Sequence, residues 1–301
     1  MSSIFSGARF QRSLTRRNGL KLACSALFAR YLPAAQGAVA GTPIPDLARS
    51  IPARPPQALT GSQFAESVAN MDRHQREQAI LDQLLEGNLP GFLRKLVPVR
   101  LSHELPTGKA LAATIFVMPE YLAIGSDDDF LRIPMNLHTA SEVAARFSFT
   151  LPTRKIVDAI YNQSTGRFTP QPLPAGPQMT STEYYRIHNA MIERQSQIRG
   201  FSSGALVSGH KKDVVLSNRL RFRPDRIAIY GWHRGPGDPI QPLSTVHGAG
   251  YADYSHGIRL IGGMALVEDR LRSVHDILRD FWSAGVLSDE GAIRLPGFAH
   301  A

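Results

Sequence analysis

Hydrophobic residues take on a helical period at Phe64, Val68 and Met71, and again at Ile80, Leu81, Leu84 and Leu85. Thr60 and Gln63 stand at capping-box spacing ahead of this run, and Gly87 suits its stop. The polar stretch 72–78 between them reads as a solvated face or a break. From Leu96 the residues turn β-rich: Val97, Val99 and Leu101, then Ala113, Ile115 and Val117, lie in short runs bounded by Pro and Gly. Residues 121–125 and 130–135 flank the acidic turn Ser126-Asp127-Asp128-Asp129 and predict a hairpin whose carboxylates are solvated. Helices are expected at 139–147 and 153–163, the second with Ile156, Val157 and Ile160 on one face. Thr180 and Glu183 again have capping-box spacing and open a helix over 184–197. Short apolar strands follow around 205–208, 214–216, 227–230 and 258–261, and an amphipathic helix at 274–282 closes the chain. Helices and strands in mixed order, without regular βαβ alternation or any repeat, predict an α+β fold.

Proline marks the boundaries. Residues 41–61 hold five prolines and no apolar period, as an extended linker does. The stretch 168–179 is the best internal boundary, dividing an N-terminal α+β region at 62–167 from a C-terminal one at 180–301. Both are expected to pack as a single compact mature region.

Residues 1–40 obey other rules. They carry six basic residues (Arg9, Arg12, Arg16, Arg17, Lys21 and Arg30) and no acid. The basic stretch leads into a short apolar run, 20–29, and ends in Ala38-Val39-Ala40, an A-x-A-like cleavage site. A membrane-spanning helix needs about 20 apolar residues, which this segment lacks. Leu14-Thr15-Arg16-Arg17-Asn18-Gly19-Leu20-Lys21 resembles the twin-arginine export motif, with Gly19 where that motif usually has a bulky apolar residue. The resemblance implies a bacterial protein passed through the twin-arginine export machinery to the periplasm or medium. Such substrates cross folded, often with a cofactor loaded.

Export alters what composition means. The chain has 34 Lys and Arg against 25 Asp and Glu; subtracting the six basic residues of the signal leaves 28 against 25, a net of +3. The basic character belongs largely to the signal, and nucleic-acid binding loses its main support. The one cysteine, Cys24, leaves as well, so the mature chain has no disulfide, thiolate nucleophile or cysteine metal ligand. About 260 residues remain, long enough to be held by a hydrophobic core alone.

Candidate chemistry gathers between Gly204 and Gly263. Four histidines and two aspartates fall there: His210, Asp213, His233, His247, Asp253 and His256. The histidines stand beside or near glycines at the ends of short apolar strands, where loops display functional groups on a rigid scaffold. Imidazoles with a carboxylate are the usual ligands of a catalytic Zn²⁺ or another divalent metal, and a metal-bound water can attack an amide or ester. His210, Asp213 and His247 are the candidate ligands, although no HExxH or H-x-H spacing is present. Individually, such side chains more often cap loops and bond to backbone. Trp232, next to His233, is either core or a platform for sugar stacking. Lys211-Lys212 is either an exposed basic pair or a site for an anion.

Ser255-His256-Gly257-Ile258-Arg259-Leu260, preceded by His247-Gly248, resembles the L,D-transpeptidase motif. In that family an upstream His-Gly precedes Ser-His-Gly-Cys-Ile/Val-Arg-Leu. The likeness covers about fourteen residues, and the nucleophilic cysteine is missing, because Gly257 is followed directly by Ile258. The resemblance implies a site for wall peptide in which His256 and Arg259 keep the family's placement. Ser255 is an alternative nucleophile, with His247 or His256 as base.

The sequence thus predicts an envelope hydrolase acting on peptidoglycan or another wall polymer. His256, Asp253, Ser255 and His233 are its candidate catalytic residues, and Trp232, Tyr251, Tyr254 and Arg259 its substrate-binding ones. The alternative is a non-catalytic wall-binding protein that uses the same cleft.

Overall fold

Residues 46–295 are described by a computed structural model, and the export signal expected at 1–40 lies outside the described residues. Two reciprocal capping boxes open the described chain. Thr60 and Gln63 start α1 (Gly61–Ser67), and Asp72 and Gln75 start α2 (Arg73–Leu85). The polar stretch 72–78 is therefore the beginning of a second helix, whose buried face is Arg76, Ile80 and Leu84.

β1 (Val97–Glu104) and β2 (Ala110–Val117) form an antiparallel hairpin in which Val99 and Leu101 turn inward and Arg100 and Ser102 outward. The predicted acidic hairpin is β3 (Ala123–Gly125) and β4 (Phe130–Arg132). Two of its carboxylates are structural. Asp129 accepts from the Ser62 amide and hydroxyl, and Asp127 accepts from the Phe92 amide. Gly125, at φ +129°, lies so close to the Asp129 carbonyl that a Cβ would sit 2.2 Å from it.

α3 (Leu137–Arg146) follows an Asn136 cap, then β5 (Phe149–Thr150), and α4 (Arg154–Gln163) follows a Thr153 cap. After β6 (Gly166–Arg167) comes α5 (Thr182–Arg199), capped by Ser181 rather than Thr180 and stopped by left-handed Gly200. The chain continues through β7 (Val207–Ser208), β8 (Lys212–Val214), β9 (Ile229–Gly235) and β10 (Asp238–Ser244). It ends in β11 (His256–Gly257), β12 (Ile261–Val267), β13 (Arg270–Ser273) and α6 (Val274–Arg279). β10 was not legible because Pro239 and Pro242 mark it as no strand. It is an edge strand, where missing amide donors are tolerated.

The larger sheet has the order β1-β2-β12-β13, with β5 also paired to β12, and the smaller one has the order β10-β9-β8-β11. Between β11 and β12, Ile258, Arg259 and Leu260 are fully buried and carry the chain from one sheet to the other. The Met118 and Leu122 amides bond the carbonyls of Leu260 and Ile258. The architecture is mixed α+β. Because β12 lies between β2 and β13, the regions before and after the proline-rich stretch share one sheet, and all described residues fall in one compact unit. The expected linker also packs against this body from Ala48 onward. Ile51 is buried, and Arg54 donates to Asn88 and to the carbonyls of Ala58, Leu59 and Gly125. Among the described residues no helix is long and apolar enough to cross a membrane.

Candidate functional site

The parallel pair β8–β11 aligns Lys212 with His256 and Asp213 with Gly257, and the Lys212 amide donates to the Ser255 carbonyl. Gly257 permits this approach: a Cβ there would lie 2.6 Å from Lys211 Cβ and 2.7 Å from the Tyr121 ring. The loop that precedes β11 is organised by Asp253. Its carboxylate accepts from the Ser255 amide at 2.8 Å, the Ser255 hydroxyl at 2.5 Å and the Tyr251 hydroxyl at 3.1 Å. Burial would raise the Asp253 pKa, but nearby His256 and the Ser255 bonds outweigh it and hold the group ionised.

Tyr251 stacks on His247 at 4.3 Å, and the His256 ring lies 5.7 Å from Tyr251 and 6.3 Å from His247. His247 and Tyr251 are half-buried, whereas Asp253, Ser255 and His256 are buried beneath them. Neither ring nitrogen of His256 has a hydrogen-bond partner, and burial pushes its pKa down to about 4. A neutral imidazole in the interior thus keeps both its donor and its acceptor uncommitted. Burial also lowers the pKa of His247, and it raises that of Tyr251 to about 12.

The other predicted residues fall into separate networks. His210 Nε2 lies 2.8 Å from Glu120 Oε1, and the other oxygen of Glu120 accepts from Arg132 Nε at 3.0 Å. Burial pushes the His210 pKa down to about 4, while Arg132 and His210 overcome burial to hold Glu120 well below the usual carboxylate range. The neutral imidazole therefore donates to an ionised Glu120. Asp213 accepts from the Tyr121 hydroxyl at 2.8 Å, and burial pushes its pKa up to about 6. His233 Nε2 pairs with Asp158 at 3.0 Å, an acid that also accepts from the Tyr230 hydroxyl. His233 is thus not brought to Asp253, Ser255 and His256.

The candidate metal set is likewise divided. His210 and Asp213 both contact Tyr121, while His247 belongs to the Asp253 loop. Among the described residues no group of three His, Cys, Asp or Glu is placed to hold a metal ion.

Of the candidate substrate-binding residues, only Tyr251 reaches solvent appreciably. Arg259 is fully buried. Its guanidinium lies over the Tyr121 ring at 4.3 Å and donates to the carbonyls of Met118 and Val207, so it ties the core together rather than meeting a ligand. Trp232 and Tyr254 are buried around His188, whose two ring nitrogens are also without partners. The lysine pair is not an exposed loop. Lys211 Nζ is buried and donates to the Tyr254 carbonyl at 2.5 Å, and half-buried Lys212 covers the Trp232 ring at 5.0 Å.

Glu120, Tyr121, Arg132, Asp158 and His188 escaped the sequence analysis. Glu120 follows Pro119 at the end of an apolar strand, where an acid looks like an ordinary turn residue. Only the fold reveals that it is buried between the Arg132 guanidinium and the His210 imidazole. Compared with known proteins, the chain matches no family model, no curated protein and no solved structure.

Proposed function

We propose that this protein is an exported bacterial envelope hydrolase acting on peptidoglycan or a related wall polymer. His247 and His256 are its proton-transfer pair, and Asp253 is the carboxylate that fixes their loop. The observation carrying this reading is His256, an interior imidazole with both nitrogens free, close to an ionised carboxylate and beneath half-buried His247 and Tyr251. Buried polar groups are ordinarily hydrogen-bonded, and native exceptions concentrate where a catalytic or solvent role explains them. A neutral His256 can take a proton from a water or hydroxyl that reaches it, and His247, nearer the surface, can return one to the leaving group. Ser255 is less suited to nucleophilic attack, since its hydroxyl already donates to Asp253 and no imidazole accepts from it. Wall binding without turnover is the second reading, favoured by the complete burial of Ser255 and His256.

The test is release of soluble fragments from purified peptidoglycan by natively exported protein, beside the His256→Asn and His247→Ala variants. A loss of about 100-fold or more in each variant, with unchanged thermal unfolding, supports proton transfer. Wild-type protein that pulls down with the polymer but releases nothing supports binding alone. One equivalent of zinc that disappears with His247→Ala would instead assign His247 to a metal site.

A further inference from the structure

Apart from the His247–His256 loop, the molecule carries a cleft of about 850 Å³ lined by the 46–50 entry, α3, the turn 148–151 and residues of the segment 215–226. Its volume lies within the range of about 300–1,000 Å³ typical of small-molecule sites. Leu47, Leu137, Val215, Leu216, Met264 and Leu295 give it an apolar wall, which suits a hydrocarbon more than a sugar or peptide.

The charges around the cleft are unequal in their commitments. Glu142 faces Arg146 at 3.6 Å, and the Asp46 carboxylate accepts from the Ala48 amide. Arg226 donates to the Val246 carbonyl and pairs with Asp225. Arg49 is exposed and lines the cleft with no side-chain partner among the described residues. Arg49 therefore offers an unpaired cation beside this apolar wall, while the Asp46 carboxylate keeps its own charge and is held by a neutral amide. Two of the lining residues also join the His247 loop: Arg226 forms a β-bridge with Gly248, and the Leu137 amide donates to the Ala249 carbonyl.

We propose that the cleft is a binding site for a long-chain fatty carboxylate, with the chain against the apolar wall and the headgroup at Arg49. The assignment stands independently of the wall-hydrolase reading, since it uses none of that site's residues. The contact between Arg226 and Gly248 would allow an occupied cleft to stiffen the loop bearing His247.

Calorimetric titration of the full chain with dodecanoate, 1-decanol and decyltrimethylammonium tests it. Saturable binding of dodecanoate and of the alcohol is expected, with the cation weakest. Ser141→Trp, an exposed position on the cleft-lining face of α3, should abolish binding of both. Arg49→Glu should weaken dodecanoate by about tenfold and leave the alcohol unchanged. Absence of saturable dodecanoate binding, preference for the cation, or indifference to both substitutions would each overturn the assignment. Because Arg49→Glu alters an exposed side chain outside the core, its result stands even if Ser141→Trp fails to fold.

Discussion

Two imidazoles, His188 and His256, are buried without hydrogen-bond partners, and they differ in what surrounds them. His256 lies against an ionised carboxylate and beneath the half-buried His247, which suits proton transfer. His188 sits edge-on to Tyr254 at 5.0 Å and to Trp232 at 6.2 Å, and burial holds it neutral. An aromatic ring without polar atoms satisfies that site better, since an unpaired buried donor or acceptor costs about 1–3 kcal/mol. His188→Phe should therefore raise stability by roughly 1 kcal/mol in urea unfolding, within the span of that penalty. A loss of stability would mean that the two nitrogens meet ordered water. At this scale the Asp253 loop was legible in the sequence, because Tyr251, Asp253, Ser255 and His256 are neighbours in the chain. His233, grouped with them in the sequence, pairs instead with an acid 75 residues away, Asp158.

Element formation follows local chemistry. Thr60, Asp72, Asn136 and Thr153 each accept the amide three residues on and set the start of a helix. The second capping box, Asp72 with Gln75, was present in the sequence but hidden by the charged stretch that follows it. β11 shows the opposite case. It is two residues long, and its place beside β8 depends on the close approach of Gly257 to Lys211 and Tyr121. Gly257→Ala should cost about 1–3 kcal/mol of stability, the usual penalty for forcing extra volume into a packed site. The same substitution should shift His256, so wall-fragment release, if present, should fall more than stability does. Full activity in Gly257→Ala would separate His256 from the reaction.

For the whole molecule, the buried titratable groups act together on stability. His210 and His256 have pKa values pushed down to about 4 from 6.5, and His188 is lower still. As pH falls from about 6.5 toward 4, the unfolded chain takes up protons on imidazoles that stay neutral in the fold. Stability from these groups is complete above pH 6.5 and declines through that window, by about 1.4 kcal/mol per pH unit for each imidazole. Asp213 works in the other direction. With its pKa raised from 3.8 to about 6, it favours the fold as pH falls through the same range. Three imidazoles outweigh one carboxyl, so the urea midpoint should fall steadily between pH 6.5 and 4. An unchanged midpoint would mean that the imidazoles are solvated.

Periodicity and capping placed most helices, the first strands and the acidic hairpin without reference to the rest of the molecule, because their hydrogen bonds and apolar faces lie within a few residues of one another. The α+β class and the membership of the Asp253 loop came from the same local information. Tertiary structure alone decided the pairings of Glu120 with His210 and Tyr121 with Asp213, which join residues 90 and 92 positions apart. It also buried Arg259 and Lys211, which a charge count places at the surface. The reason is that these contacts depend on how β12 lies against β2 and β11 against β8. That register is set by packing across the two sheets and is written in no single stretch of the chain.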